Sequence, residues 1–240
     1  MPLFFGKKEE VDFEEFNALE VERNSVSLLW FNRYSGIVLK TPSKTVVVDP
    51  TELSGEKAAT LEPDLMVVSH EHYDHFDRKV LKIVQAGKAV VIAPEHVIEA
   101  LKGEISGENL KSIKAGGEIE VGGVRINAEK AVHPSREPLS FAITSEDGIV
   151  IYHAIDSQTF EGMREIGERH RPDIAIVPIG IAPGTSPENG AKAVGLIKPK
   201  VAIPYHSDKG FEEFQRKVRE KLPETEVAIL KRGEIYTYRK

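Results

Sequence analysis

Cysteine is absent from this 240-residue chain. That excludes disulfides, a thiolate nucleophile and every cysteine-ligated zinc or iron–sulfur site. Any metal must be held by His, Asp or Glu. Long apolar runs are missing too: no stretch approaches the roughly 18 residues that a membrane span requires. The run Met1-Pro2-Leu3-Phe4-Phe5 is too short for a secretion signal and soon meets charge at Lys7 and Lys8. These absences lead to the expectation of a cytoplasmic protein without membrane association. Nor is there an excess of positive charge. The formal net charge is −6 and is spread along the chain, so the basic stripe that nucleic-acid binding uses is lacking, although a local basic pocket stays open. No Gly/Ser-rich or Pro-rich linker divides the sequence.

What is present suits a folded protein. The chain is 40% hydrophobic and 29% charged, an ordinary globular balance, and it is long enough to bury a full core. Residues 1–24 read as an N-terminal appendage, in which residues 11–16 make a short amphipathic turn packed on the main body; residues 25–240 read as one domain. Short apolar runs punctuated by turns predict strands over 25–31, 36–40, 45–48 and 64–69. Apolar Val80, Ile83 and Val84 predict a helix over 74–86 stopped by Gly87, with a strand from Lys88 to Ile92 and a helix over 94–102. Further strands are predicted near 118–121, 124–130, 139–144, 148–153, 174–177, 200–203, 226–230 and 234–238. Helices are predicted near 159–169, 187–197 and 210–221. Strands come in runs before they alternate with helices, the mark of a mixed α/β fold.

One segment carries the chemistry: Ser69-His70-Glu71-His72-Tyr73-Asp74-His75. Three of the eight histidines fall within six residues, where a buried strand ends and a helix is predicted to begin. Side chains two apart on extended chain share a side, so His70 and His72 can share an ion, while Asp74 and His75, on the predicted first helical turn, can face a second. Neutral imidazole and carboxylate suit zinc, manganese or iron. Packed this tightly without such a role, these side chains would cost several kcal/mol to bury. A lone histidine asks for less. His96 and His170, in charge-rich helices, read as surface residues, and His153, inside a strand, as structural.

The spacing His70-x-His72-x-Asp74-His75 resembles the signature of the metallo-β-lactamase superfamily, and the resemblance runs from about residue 25 to the end. It implies a four-layered αββα sandwich of two mixed sheets, with two metals at one edge between them. It also implies the other ligands. His133 resembles the third ligand of the first metal, Asp156 the bridging aspartate, His206 the last ligand of the second metal, and Asp49 the buried aspartate behind the ligands. The closest branch by resemblance is that of small metal-dependent hydrolases related to ascorbate-6-phosphate lactonase, through Tyr152-His153-Ala154, Pro178-Ile179-Gly180 and Ser186-Pro187-Glu188-Asn189. Two departures bear on the substrate. Ile155 and Ser157 stand where the family usually has Gly and Thr around the bridging Asp, and Asn32-Arg33-Tyr34 stands near its usual Gly-His.

Two ions about 3.5–4 Å apart can activate a water as a bridging hydroxide nucleophile, with Asp156 bridging them and Asp74 binding the second ion and orienting the hydroxide. The expected reaction is cleavage of an ester, lactone or phosphoester bond in a small, anionic substrate, with zinc or manganese as cofactor. A phosphodiesterase or nuclease acting on RNA or DNA is the alternative, and a non-catalytic metal-binding protein a second. Homo-oligomerisation stays open. Arg136, three residues after His133 in a loop stiffened by Pro134 and Pro138, is the candidate for holding an anionic group; the bland reading pairs it with Glu137 or another surface acid.

Overall fold

Short β-branched and aliphatic runs, apolar on both faces, make strands that must be covered from two sides. A computed structural model describes residue 11, residues 13–85 and residues 89–240. The first sheet holds β1 (Ser25–Trp30), β2 (Ile37–Lys40), β3 (Thr45–Val48), β4 (Leu65–Val67), β5 (Val90–Ala93), β6 (Leu110–Ser112) and, beyond β1, the C-terminal β14 (Ile235–Arg239). The second runs from β7 (Glu118–Val121) through β8 (Val124–Lys130), β9 (Leu139–Thr144), β10 (Val150–His153), β11 (Ile174–Pro178) and β12 (Val201–Tyr205) to β13 (Glu226–Val227). Each sheet joins an antiparallel meander to a parallel set: β14 to β3 and β7 to β10 pair antiparallel, whereas β3 to β6 and β10 to β13 pair parallel.

The strand period of two sorts the side chains into three cores. Val46, Val48, Leu65 and Val67 of the first sheet meet Ile126, Phe141, Ile151 and Ile203 of the second. Val47, Met66 and Val91 face outward to α2 (Gly55–Ala59), α3 (Arg78–Gln85) and α4 (Glu95–Leu101), and also to Phe13 and Phe16 of α1 (Phe13–Ala18). On the far side Ala142, Tyr152 and Val177 pack against α5 (Met163–His170), α6 (Pro187–Ile197) and α7 (Phe211–Lys221). The result is the expected αββα sandwich of two mixed sheets. Helices α5 and α6 approach closely at Gly167, where an added Cβ would sit 2.4 Å from the Ile197 carbonyl oxygen. None of the helices among the described residues is long and apolar enough to cross a membrane.

Three local differences from the sequence reading have physical causes. The helix predicted over 74–86 starts only at Arg78, because the Asp77 carboxylate accepts from the N–H groups of Lys79 and Val80 and so caps it. Asp74 and His75 sit instead in a turn, in which the N–H groups of His75 and Phe76 both donate to the His72 carbonyl. Helix α2, capped by Ser54, and strand β6 were not predicted; β6 is a short edge strand of mostly polar residues, which carries no periodic signal. Residues 1–10, Asp12, the stop at Gly87 and the strand start at Lys88 lie outside the described residues.

Candidate metal centre

The parallel strands of both sheets end at one edge of the sandwich, where an open α/β sheet presents its ligand-binding loops. Asp49 follows β3, Ser69 and His70 follow β4, Asp156 follows β10 and His206 follows β12, while His133 comes from the β8–β9 connection. Asp49, Ile155 and His206 each take a left-handed backbone, φ 46°, 52° and 55°, which turns the chain sharply at the strand ends. For β-branched Ile155 this conformation costs roughly 1–2 kcal/mol. Its buried side chain in the inter-sheet core, its carbonyl accepting from Tyr205 Oη at 2.7 Å and its N–H donating to His153 Nδ1 at 3.2 Å hold it there.

Asp49 is fully buried and organises the histidines. Its Oδ1 accepts from the Ser69 N–H, and its Oδ2 accepts from Ser35 Oγ and Ser69 Oγ, each at 2.8 Å, and lies 2.7 Å from His75 Nδ1. The Ser69 hydroxyl spends its proton on Asp49, so it can only accept from His70 Nδ1 at 2.9 Å. His70 therefore carries its proton on Nδ1 and points a lone pair outward from Nε2. Burial and the neighbouring His75 keep it neutral, pushed down to about 3. That Nε2 lies 3.2 Å from His72 Nδ1, which lies 3.1 Å from His133 Nε2. One proton can bridge one pair of these nitrogens; a cation accepts all three. Four tetrahedral ligands about 2.0–2.1 Å from a zinc ion stand about 3.3 Å apart, close to the spacing seen.

Beside this triad lies a carboxylate-rich group. Asp74, Asp156 and His206 place a ligand atom each within 4.8 Å of one another, as do His70, His75 and Asp156. Asp156 Oδ2 is 3.1 Å from His75 Nε2 and 3.8 Å from His133 Nε2, and its Oδ1 is 2.8 Å from His206 Nδ1. That last approach lacks hydrogen-bond geometry: Asp156 Oδ1 and both ring nitrogens of His206 are buried without a hydrogen-bond partner among the described residues. Burial opposes ionisation of Asp156, but His206 and His75 hold it well below the ordinary carboxylate range. Burial likewise opposes a charge on His75, yet Asp49 and Asp156 raise it to about 10. A proton on its Nε2 occupies the place a cation would take. The donor atoms thus form groups that could hold divalent metal: three imidazoles in one, and two carboxylates with two imidazoles in the other.

The family model for the beta-lactamase superfamily domain matches residues 28–206, a span that takes in every residue placed at this edge. The chain belongs to the metallo-β-lactamase superfamily. Within it, the chain groups with the UPF0173 metal-dependent hydrolases. The one from Methanopyrus kandleri is 35% identical over 80% of this chain and 91% of its own length, and the one from Saccharolobus solfataricus is 36% identical over 75% and 83%. Among solved structures, Igni18, a metallo hydrolase from Ignicoccus hospitalis, superposes with a TM-score of 0.77 at 25% identity, covering 90% of this chain and 99% of that one. The metallo-β-lactamase fold protein YhfI from Bacillus subtilis gives a TM-score of 0.71 at 15% identity, over 90% and 100%.

In this superfamily member several residues around the cluster differ from their sequence reading. His96 is not a free surface residue. Its side chain is 9% exposed and held between Glu71, at 2.9 Å, and Glu137, at 3.3 Å. His170 is likewise paired, 2.7 Å from the buried Glu129 carboxylate, which also binds Arg169. Glu71, between two of the histidines, also accepts from the Arg136 N–H at 2.9 Å and so ties the 133–138 loop to the cluster. Burial works against its ionisation, but the Arg136 N–H and His96 hold it down at about 2. The Arg136 side chain is exposed and, among the described residues, forms no ion pair; Glu137 is engaged by His96 instead. Sequence reasoning missed Ser35 and Tyr205, and read His153 as structural without its partners, which are now in place. Its Nε2 donates to the Ser35 carbonyl at 3.1 Å while Nδ1 accepts from Ile155, which fixes both strand-end turns to each other. Burial pushes His153 down to about 4, so it stays neutral. A histidine three residues before a strand-end aspartate was the available signal.

Proposed function

We propose that this protein is a dinuclear metal-dependent hydrolase, with zinc or manganese, that cleaves an ester, lactone or phosphoester bond in a small anionic substrate. The observation that carries this reading is the meeting of His70 Nε2, His72 Nδ1 and His133 Nε2 without protons enough to join them. These three would hold the first ion; Asp74, His75, Asp156 and His206 would hold the second, with Asp156, placed between the two groups, as the residue shared by both. Bound divalent ions polarise the scissile oxygen and lower the pKa of a water from about 15.7 toward 7. Asp74, its backbone carbonyl fixed by Thr51 Oγ1 at 2.8 Å, orients the attacking water and takes its proton. Asp49, through Ser69 and directly, keeps the His70 and His75 lone pairs aimed inward.

The decisive experiment is elemental analysis of the purified protein, with close to two metals per chain as the expected result. His72→Ala should lose hydrolysis across a panel of lactones, esters and phosphoesters while the circular dichroism spectrum stays that of the wild type. A metal-free wild type that hydrolyses its substrate at the full rate overturns the reading.

Arg136 supplies the preference for an anion: its exposed guanidinium forms no ion pair among the described residues, while its backbone is anchored to the ligand loop through Glu71. Arg136→Ala is expected to lower kcat/KM about tenfold or more, roughly 1.4 kcal/mol, for an anionic substrate. An uncharged analogue should change little. Equal effects on both would return Arg136 to the solvated surface.

A further inference from the structure

The segment Asn32-Arg33-Tyr34, where this chain departs from the family pattern, forms part of the rim of the metal cluster. The Tyr34 ring stands edge-on to His206 at 5.6 Å and edge-on to Tyr73 at 6.3 Å. Tyr34 is held rigidly: its N–H donates to Asn32 Oδ1, its carbonyl accepts from Trp30 Nε1, and the Arg33 guanidinium, paired with Glu52, lies 5.6 Å from its ring centroid. Asn32 in turn bonds Thr51 Oγ1, which bonds the Asp74 carbonyl, so rim and ligand loop move together. Tyr73 sits between two ligand residues, yet it is 79% exposed. Ile181, 45% exposed, donates its N–H to the His206 carbonyl at 2.8 Å. Tyr73 and Ile181 are two of the four large hydrophobic residues exposed among those described, and both flank the same cluster. Apolar surface concentrated beside a polar centre marks a place where something apolar binds.

We infer that Tyr34, Tyr73 and Ile181 form a subsite for a planar apolar group, such as an aryl ring, carried by the substrate next to the bond that is cleaved. The inference rests on the hydrolase reading above and extends it from bond type to substrate shape. The exposed Tyr73 ring offers a face on which a ring stacks, Tyr34 stands across it at nearly a right angle, and Ile181 offers an aliphatic side. The subsite lies at the Asp74–Asp156–His206 end of the cluster, whereas Arg136 belongs to the loop of His133. The substrate is therefore amphipathic, with its apolar group toward His206 and its anionic group toward His133.

The test uses two metal-directed probes that differ only in the apolar group, acetohydroxamate and benzohydroxamate, titrated calorimetrically into the metal-loaded protein. The wild type should bind benzohydroxamate at least tenfold more tightly, about 1.4 kcal/mol. Tyr73→Ala and Ile181→Ala should each cut that preference to threefold or less, with acetohydroxamate affinity and metal content unchanged, and Tyr73→Phe should keep it. Equal affinity for the two probes in the wild type, or a preference that survives both alanine variants, overturns the subsite while leaving the hydrolase reading standing. A protein that holds no metal and binds neither probe overturns both. Sedimentation showing a dimer that Tyr73→Ala dissociates assigns the apolar rim to a second copy of the chain, and also overturns the subsite.

Discussion

Asp156→Ala is expected to lower kcat/KM by about 10³-fold or more, a loss of roughly 4 kcal/mol of transition-state stabilisation, and to remove about one metal per chain. Its carboxylate lies within 3.8 Å of ligand atoms from both groups, His133 on one side and His75 and His206 on the other. No other acid among the candidate ligands spans them. The substitution leaves His75 Nε2 with only the more distant Asp74, at 3.7 Å, and takes from His206 the carboxylate that faces its Nδ1, so a metal in that group would lose support from two sides together. Unfolding is not the expected route: Asp156 stabilises the site, whereas the strand before it is fixed by Ala154 and Tyr152 in the outer core. Elemental analysis, kinetics and a thermal melt of one preparation separate these effects. Full occupancy with wild-type kcat/KM would sink the bridging assignment.

Asp49 should act on stability as well as on metal. The carboxylate takes two hydroxyl protons, one backbone N–H and the His75 Nδ1 proton. Burial disfavours its charge, but His75 and these donors hold its pKa below the ordinary value. Asp49→Ala strands all four donors at a fully buried position and puts there a residue that tolerates φ 46° less well than Asp; breaking a buried charge pair in this way costs about 3–5 kcal/mol. Asp49→Asn is the sharper test. Asn tolerates the left-handed backbone and can still accept the Ser69 N–H, but its amide presents hydrogens where Oδ2 received them. The His75 tautomer is then no longer fixed, and metal affinity should fall about 10–100-fold while most of the stability survives. Urea melts and metal titration against a competing chelator read the two quantities separately. Wild-type metal affinity in Asp49→Asn would mean that the aspartate matters only to folding.

The sequence made some of this legible and hid the rest for identifiable reasons. The His70–His75 run stands out because histidines two apart at a strand end have few uses other than ligation. Asp49, His133, Asp156 and His206 lie far along the chain from the residues they meet, and family resemblance rather than local pattern singled them out; the His75–Asp156 contact spans 81 positions. Helical periodicity at Val80 and Val84 was real, but it extended backwards too far, since nothing in an apolar pattern reveals that Asp77 will cap. His96 and His170 looked solvated because their own helices are charged; their partners Glu71 and Glu129 lie 25 and 41 residues off. The left-handed turn at Ile155 was invisible in principle: a β-branched residue argues against it, and only the Tyr205 and His153 hydrogen bonds explain why it persists.

The pairing of β14 with β1 has a consequence for how the chain is made. Strand β1 ends at Trp30 and its outer partner begins at Ile235, 205 positions later. At a synthesis rate of about 5–20 residues per second, that gap lasts roughly 10–40 s. Throughout it β1 presents a row of unpaired backbone groups on a strand whose side chains are mostly apolar, an invitation to edge-to-edge association. The second sheet, by contrast, draws all its strands from residues 118–227 and closes as they emerge. The half of the molecule that is synthesised first is therefore completed last, and a nascent chain halted before Ile235 carries the histidine loop on a sheet that still lacks its border strand.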